Sequence, residues 1–206
     1  MRRREFIAGL GGAVAWPVVA RTQQAERVRR VGVLIAGGNE NDPDIKERYG
    51  AFVQRLQQLD WIEGRNVRFE TRWPAASPDR IRKDAIELAA LAPDVILAGG
   101  TSTLGPLLQA TRNVPIVFAG VADPVGAGFV DSLAQPGGNA TGFMQFEYNL
   151  SAKWLELLKQ IAPNTTRAAV LRDPVVTSGI AQFAVIQSVA TTLGVDVRPV
   201  NARMPI

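Results

Sequence analysis

What most constrains this chain is an alternation that begins near Arg30. Short β-branched runs, several closed by glycine, are separated by stretches whose apolar residues recur at helical spacing. Arg30 to Ile35 reads as a buried strand that ends at the Gly37-Gly38-Asn39 turn. Pro43 then opens a helix carrying Tyr49, Phe52, Val53, Leu56 and Leu59 on one side. Asn66 to Arg72 alternates with period two, as a strand with one wetter face would, and Ser77-Pro78-Asp79 starts a helix whose Ile81, Ala85, Leu88 and Ala89 face the core. Pro93 to Ala98 is a third strand, Gly99 to Thr103 a turn into a helix through Leu107, Leu108 and Ala110, and Val114 to Ala119 a fourth strand. This βαβαβαβ order predicts an α/β fold, a parallel sheet flanked by helices with right-handed crossovers.

Between Gly120 and Gly142 the texture changes to loops, short turns and many glycines. The alternation then resumes with a helix from Ser151 to Ile161, a strand from Arg167 to Leu171, a helix from Gly179 to Leu193 and a strand from Val195 to Val200. The pattern predicts a first α/β lobe over residues 30–120, a hinge and crossover region over 121–147, and a partial second lobe, one βαβ unit, over 148–206.

The residues before the first strand form an address. Arg3-Arg4-Glu5-Phe6-Ile7 resembles the twin-arginine export motif, with Arg3, Arg4 and Phe6 as its key positions. The apolar run from Ala8 to Ala20 is too short to span a bilayer, and small residues at Val18-Val19-Ala20 suit a signal peptidase, so residues 1–20 read as a signal peptide. An ordinary Sec signal is the alternative route. Either machinery would deliver a soluble periplasmic protein. The Gly9, Gly11 and Gly12 cluster follows no strand, so it is not a dinucleotide loop.

Composition then narrows the chemistry. The formal charge of +4 is concentrated in this leader, where Arg2, Arg3, Arg4, Arg21, Arg27, Arg29 and Arg30 face only Glu5 and Glu26. A basic stripe for nucleic acid is therefore not expected downstream. The chain has neither cysteine nor histidine. That excludes a Ser-His-Asp triad, cysteine nucleophiles, thiolate and imidazole metal sites and a lipid-anchoring cysteine. No cofactor or metal is expected.

In open parallel sheets ligands bind beyond the carboxyl ends of the strands. Those ends are Ala36 to Asn39, with Gly37 at the turn, then Trp73, Gly99 to Thr103 and Ala119 to Asp123. Gly100, Thr101, Ser102 and Thr103 combine a tight turn, hydroxyls and the positive start of a helix, a place for a carboxylate. Helix capping by Thr101 or Ser102 is an equally available use of the same residues. Asp123 could accept hydrogen bonds from a ligand ammonium or make an Asx turn. Trp73 reads as packing, and Asp42, Asp44 and Glu63 as solvated carboxylates without metal spacing.

Gly64-Arg65-Asn66-Val67, Pro93-Asp94-Val95-Ile96, Thr101-Ser102-Thr103 and Val114-Pro115-Ile116-Val117-Phe118 occur in order. They lead into Asp123-Pro124-Val125-Gly126-Ala127-Gly128-Phe129-Val130 and Pro136-Gly137-Gly138-Asn139-Ala140-Thr141-Gly142, with Lys153 to Leu158 beyond. Together these resemble the ABC-transporter substrate-binding proteins related to the tryptophan-transporter binding component. The resemblance implies a hinged, two-lobed periplasmic binding protein of type I, not an enzyme, that closes over a small solute such as an amino acid and delivers it to an ABC permease. It places the Thr101–Thr103 turn and the Asp123 loop in the first-lobe cleft, and the hinge around Gly120, Phe143 and Gln145. Asp60 stands where the family usually has glycine, which predicts a left-handed aspartate there. Full-length members continue past the last residues of this chain, so the expectation is a truncated second lobe, of low stability from about residue 148, with solute capture weakened or lost. An α/β enzyme on a similar sheet and the sensing domain of a regulator are the other readings. The first would want an acid–base pair at the strand ends, the second a helix-turn-helix before the sheet.

Overall fold

The computed structural model describes residues 27–38, 40–174 and 176–202. The export motif of Arg3, Arg4 and Phe6 lies outside these. The alternation read from the sequence becomes β1 (Arg29–Ile35), α1 (Pro43–Gln58), β2 (Val67–Arg72), α2 (Pro78–Ala90), β3 (Val95–Gly99), α3 (Thr101–Ala110) and β4 (Ile116–Val121). It continues as β5 (Ala140–Met144), α4 (Leu150–Ile161), β6 (Arg167–Arg172), α5 (Thr177–Ala190) and β7 (Asp196–Asn201).

β1 to β5 form one parallel sheet in the order β2-β1-β3-β4-β5, and β6 and β7 a separate parallel pair. In the first sheet the chain steps outward from β1 to β2, then crosses back over β1 to β3. The order therefore reverses between β1 and β3, the switch point at which a crevice opens beyond the strand ends.

Helix boundaries follow local chemistry. Asp42 caps α1, its carboxylate accepting the backbone N–H groups of Asp44 and Ile45, so it is not the idle solvated acid that its isolation in sequence suggested. Asp60 adopts φ +65° after α1, as expected. Its N–H reaches Gln57 O and that of Trp61 reaches Leu56 O, the paired bonds that close a helix through a left-handed residue. Ser77 caps α2 through a bond from Arg80 N, with Pro78 at the first helical position.

The first core lies between the sheet and the α2–α3 layer, where Leu34, Ile81, Leu88, Ile96, Leu104, Leu107, Ile116 and Phe118 are buried together. Strand alternation sends Val31, Val95, Leu97 and Val117 to the other face. There α1 stands partly off the sheet and leaves a 440 Å³ apolar groove that Phe52, Leu56 and Trp61 also line. At the amino end of the sheet Asp94 joins β1 to β3. It accepts from Arg30 N and from the Arg29 guanidinium, each at 2.8 Å. The bond from the Arg30 backbone, then that from Arg29, holds its carboxyl below the usual carboxylate range. A group whose folded pKa is depressed contributes stability above its unfolded pKa and loses it as pH falls through the folded value. Asp94→Asn is therefore expected to unfold at lower urea than the parent chain at neutral pH. The gap should close below the ordinary carboxylate range; a gap independent of pH would mean that the charge is not involved.

One element differs from the sequence reading. Residues 140–144, placed within a hinge and crossover region, form the fifth strand of the first sheet, pairing with β4 from Ile116↔Ala140 to Val121↔Met144. The reason is visible in its burial: of its residues only Ala140 is buried, so no alternating apolar pattern announces it. Its place is set by pairing and by Asn139, whose side-chain amide donates to Val114 O at 2.8 Å and to Thr111 O at 3.2 Å.

The second core is smaller. Leu155 of α4, Phe183, Ile186 and Ala190 of α5, and Val195 and Val197 are buried together, with Ala168 and Val170 packed against them. Leu171 and Val200, neighbours across the β6–β7 pair, point to the other, open face, and Ile161 at the end of α4 is 82% exposed. With a smaller core and one open sheet face, amide exchange along β6 and β7 is expected to run at least about ten-fold faster than along β1 and β3. Equal protection in both sheets would overturn this.

Candidate solute-binding cleft

The crevice at the switch point is built by two turns. After β1 the chain turns at Gly37, φ +108°. After β3, Gly99 lies so close to β1 that a Cβ there would meet the Ile35 side chain at 2.8 Å. Gly100 follows at φ +90° and stands at the N-cap of α3 with no side-chain cap. The hydroxyls behind it divide their work. Thr101 Oγ1 accepts the N–H of Ala122 at 2.9 Å, fastening the end of β4 to the start of α3. Thr103 is fully buried and donates to Gly100 O at 2.8 Å, so its side chain faces the core and not the crevice. Among the three, Ser102 alone keeps its hydroxyl free of these bonds.

Gly37, Thr101 and Ser102 line a cavity of 320 Å³, closed on another side by Val176 and Thr177 at the start of α5. The cavity thus lies between the two lobes. Val176 is the N-cap of α5, again without a side-chain cap. Two helix starts with uncapped N–H groups border one space, an arrangement that favours a negatively charged group. Arg82 of α2 and Gln109 of α3 supply polar walls, and Pro78, Pro106 and Phe129 apolar ones. Sequence reasoning missed Arg82, Gln109, Phe129 and Thr177. Phe129 stood within the Asp-Pro-Val-Gly-Ala-Gly-Phe motif, Arg82 and Gln109 sit in helices whose reading stopped at their apolar faces, and Thr177 lies two residues before the expected start of α5 at Gly179.

A second cavity, of 300 Å³, lies on the α1 side of the strand ends and includes Gly100, Gly120 and Gln145, together with Arg48 and Tyr49. Two of the residues expected at the hinge are therefore here, Gly120 at φ +67°. Phe143, the third, lies on β5 with 77% of its surface exposed. Tyr49 donates to or accepts from Thr71 at 3.2 Å, and its burial raises the phenol pKa. Trp73 meets the same ring edge-on at 5.3 Å, so it packs rather than facing the crevice.

Asp123 lines neither cavity. It sits at φ +41°, its N–H donating to Phe146 O, its Oδ1 accepting from Gly126 N at 2.7 Å and its Oδ2 from Tyr148 N at 3.0 Å. The Asx-turn use is the one this geometry realises, extended to clasp the start of α4. Burial, and then the Asp123 charge, raise the pKa of Tyr148. Among the described residues no group of histidine, cysteine or acidic side chains has the arrangement of a metal site.

A doubly wound parallel sheet joined to a second α/β unit, with an anion-favouring cavity between them, defines a two-lobed periplasmic-binding-protein-like fold. The family model described as ABC transporter substrate binding protein matches residues 40–204, and the chain belongs to that family. A tyrosine-binding protein of Clostridioides difficile is 28% identical over 129 residues, 63% of this chain and 37% of that protein. A conserved domain protein from Vibrio cholerae has a similar structure, with TM-score 0.72 and 27% identity, over 85% of this chain and 58% of that one. The ABC domain from Streptococcus pneumoniae solved with L-Trp aligns with TM-score 0.69 at 22% identity, over 85% of this chain and 57% of that one. The chain thus spans well under two thirds of each of these relatives.

Proposed function

We propose that this chain is the solute-capturing component of an ABC importer, taking a small carboxylate-bearing solute of the amino-acid kind between its lobes and presenting it to a membrane permease. The observation that carries this is the 320 Å³ cavity at the switch point, bordered by two uncapped helix starts from different lobes. A carboxylate placed there meets free backbone N–H groups at two positive helix ends, and its apolar remainder meets Phe129 and the prolines. Contact with both lobes is what allows a ligand to bias a hinged pair toward closure. The tyrosine-binding relative supports an amino acid as the solute class.

The test is a titration of the 15N-labelled chain with L-tyrosine and the other L-amino acids into the millimolar range. Saturable amide shifts at Thr101, Ser102 and Thr177 are expected from at least one of them. Shifts confined elsewhere, or none, would remove solute capture from this chain. The leader fits export through the twin-arginine machinery. Replacing Arg3 and Arg4 together by lysine should then hold the protein in the cytoplasm, whereas continued export would point to the Sec route.

A further inference from the structure

We infer that the outward face of α4 is a pairing surface for a second copy of this chain, joined antiparallel about a two-fold axis. α4 carries two apolar stripes. Leu155 and Leu158 belong to the second core. Leu150, Trp154, Leu157 and Ile161 form the other stripe, each between 46% and 82% exposed. Their spacing of four, three and four residues keeps them on one side of the helix, the arrangement of a coiled-coil seam. Among the described residues no other helix exposes more than one large apolar side chain, Ile86 on α2 and Ile180 on α5. Single apolar residues are ordinary on a surface, whereas a row of four marks a place of contact.

The occupant follows from the symmetry of the row. Read from either end the spacing is the same, so a second α4 laid antiparallel sets Leu150 against Ile161 and Trp154 against Leu157, and the reverse beyond the axis. Trp154, the largest of the four, thereby comes close to the axis, and the residues that dominate an interface cluster near its centre. Charge does not oppose the pairing. Of the three charged residues of α4, Lys153 and Glu156 neutralise one another at 2.7 Å, and Lys159 closes its own helix end by donating to Pro163 O and Thr165 O. Exposed to this degree, the four side chains present on the order of 400 Å² per copy, about half of the ~800 Å² that each partner gives to a standard stable interface. The pairing is therefore a weak, reversible one. None of the four lines either strand-end cavity, so pairing and solute capture are separate properties.

Sedimentation velocity on the full chain, from micromolar to millimolar concentration, is expected to show a monomer–dimer equilibrium. Leu157→Glu sets a carboxylate opposite the partner's Trp154 and should weaken association about ten-fold or more. Its melting temperature should be unchanged, because Leu157 lies outside the second core. The chain has no cysteine of its own, so single-cysteine variants report the geometry. On oxidation a mixture of Leu150→Cys and Ile161→Cys should form the mixed disulfide well before either variant links to itself, since antiparallel pairing holds like positions about 16 Å apart along the helix. Leu150→Cys linking to itself as fast as it forms the mixed product would mean a parallel or indiscriminate contact, and overturns the inference. So would association that Leu157→Glu leaves unchanged, or a chain that stays monomeric throughout, whose stripe is then covered by something other than a second copy.

Discussion

Replacing Gly142 by alanine is expected to destabilise the first lobe by about 3 kcal/mol or more, the upper end of what overpacking costs. Gly142 pairs with Phe118 across the β4–β5 ladder. A Cβ there would lie 2.7 Å from Phe118 N and 2.8 Å from Phe118 C, and would also strike the Phe118 carbonyl oxygen. These are backbone atoms of a central strand, and no side-chain rotation can clear them. The neighbouring Phe118 side chain is fully buried in the first core, so β4 cannot retreat either. Relief must come from β5 peeling away, and β5 leads into the crossing to the second lobe. The variant should show a lower urea midpoint and faster amide exchange at β5 and along the β4 edge that faces it. An unchanged midpoint would mean that the two strands do not approach in this register.

Asp123→Ala is expected to cost about 2–4 kcal/mol, because two backbone N–H groups lose a charged acceptor, each such bond contributing about 1.5–3 kcal/mol in favourable cases. Gly126 and Tyr148 are those donors, and they belong to the loop after β4 and to the approach to α4. The aspartate also sits at φ +41°, a conformation that asparagine and aspartate tolerate better than alanine. Asp123→Asn, with one acceptor oxygen left, should lose about half as much. The same variants separate the two uses open to this residue. As a clasp it changes the unfolding midpoint while solute affinity, measured where both chains are fully folded, changes less than about two-fold, a few tenths of a kcal/mol. A ten-fold loss of affinity with little loss of stability would make Asp123 a solute contact instead.

Much of this molecule was legible before any coordinates. Strands and helices follow the alternation because a doubly covered strand must be apolar along its length and an amphipathic helix must show its period. Gly100 and Ser102 were legible as strand-end residues because a glycine turn into a helix start is a chemical signature of strand ends in such sheets. Thr103 was not separable from Ser102, since helical rotation alone decides which of two adjacent hydroxyls meets the core. Arg82 was invisible for a related reason. One of several basic residues on α2, beside Arg80 and Lys83, it looks like any solvated charge until another helix is brought opposite it.

By itself, the sequence determined the fold class, the order of strands and helices and the absence of histidine and cysteine side chains. These rest on local backbone preference, periodicity and composition, which need no distant partner. Tertiary structure alone decided that residues 140–144 are a strand and that Asp123 clasps the crossing. It alone also brought Arg82, Ser102 and Thr177 to one cavity. Each of those depends on contacts between segments far apart in the chain, Gly142 against Phe118 or α5 against α3, and no local pattern encodes a partner that arrives only on folding.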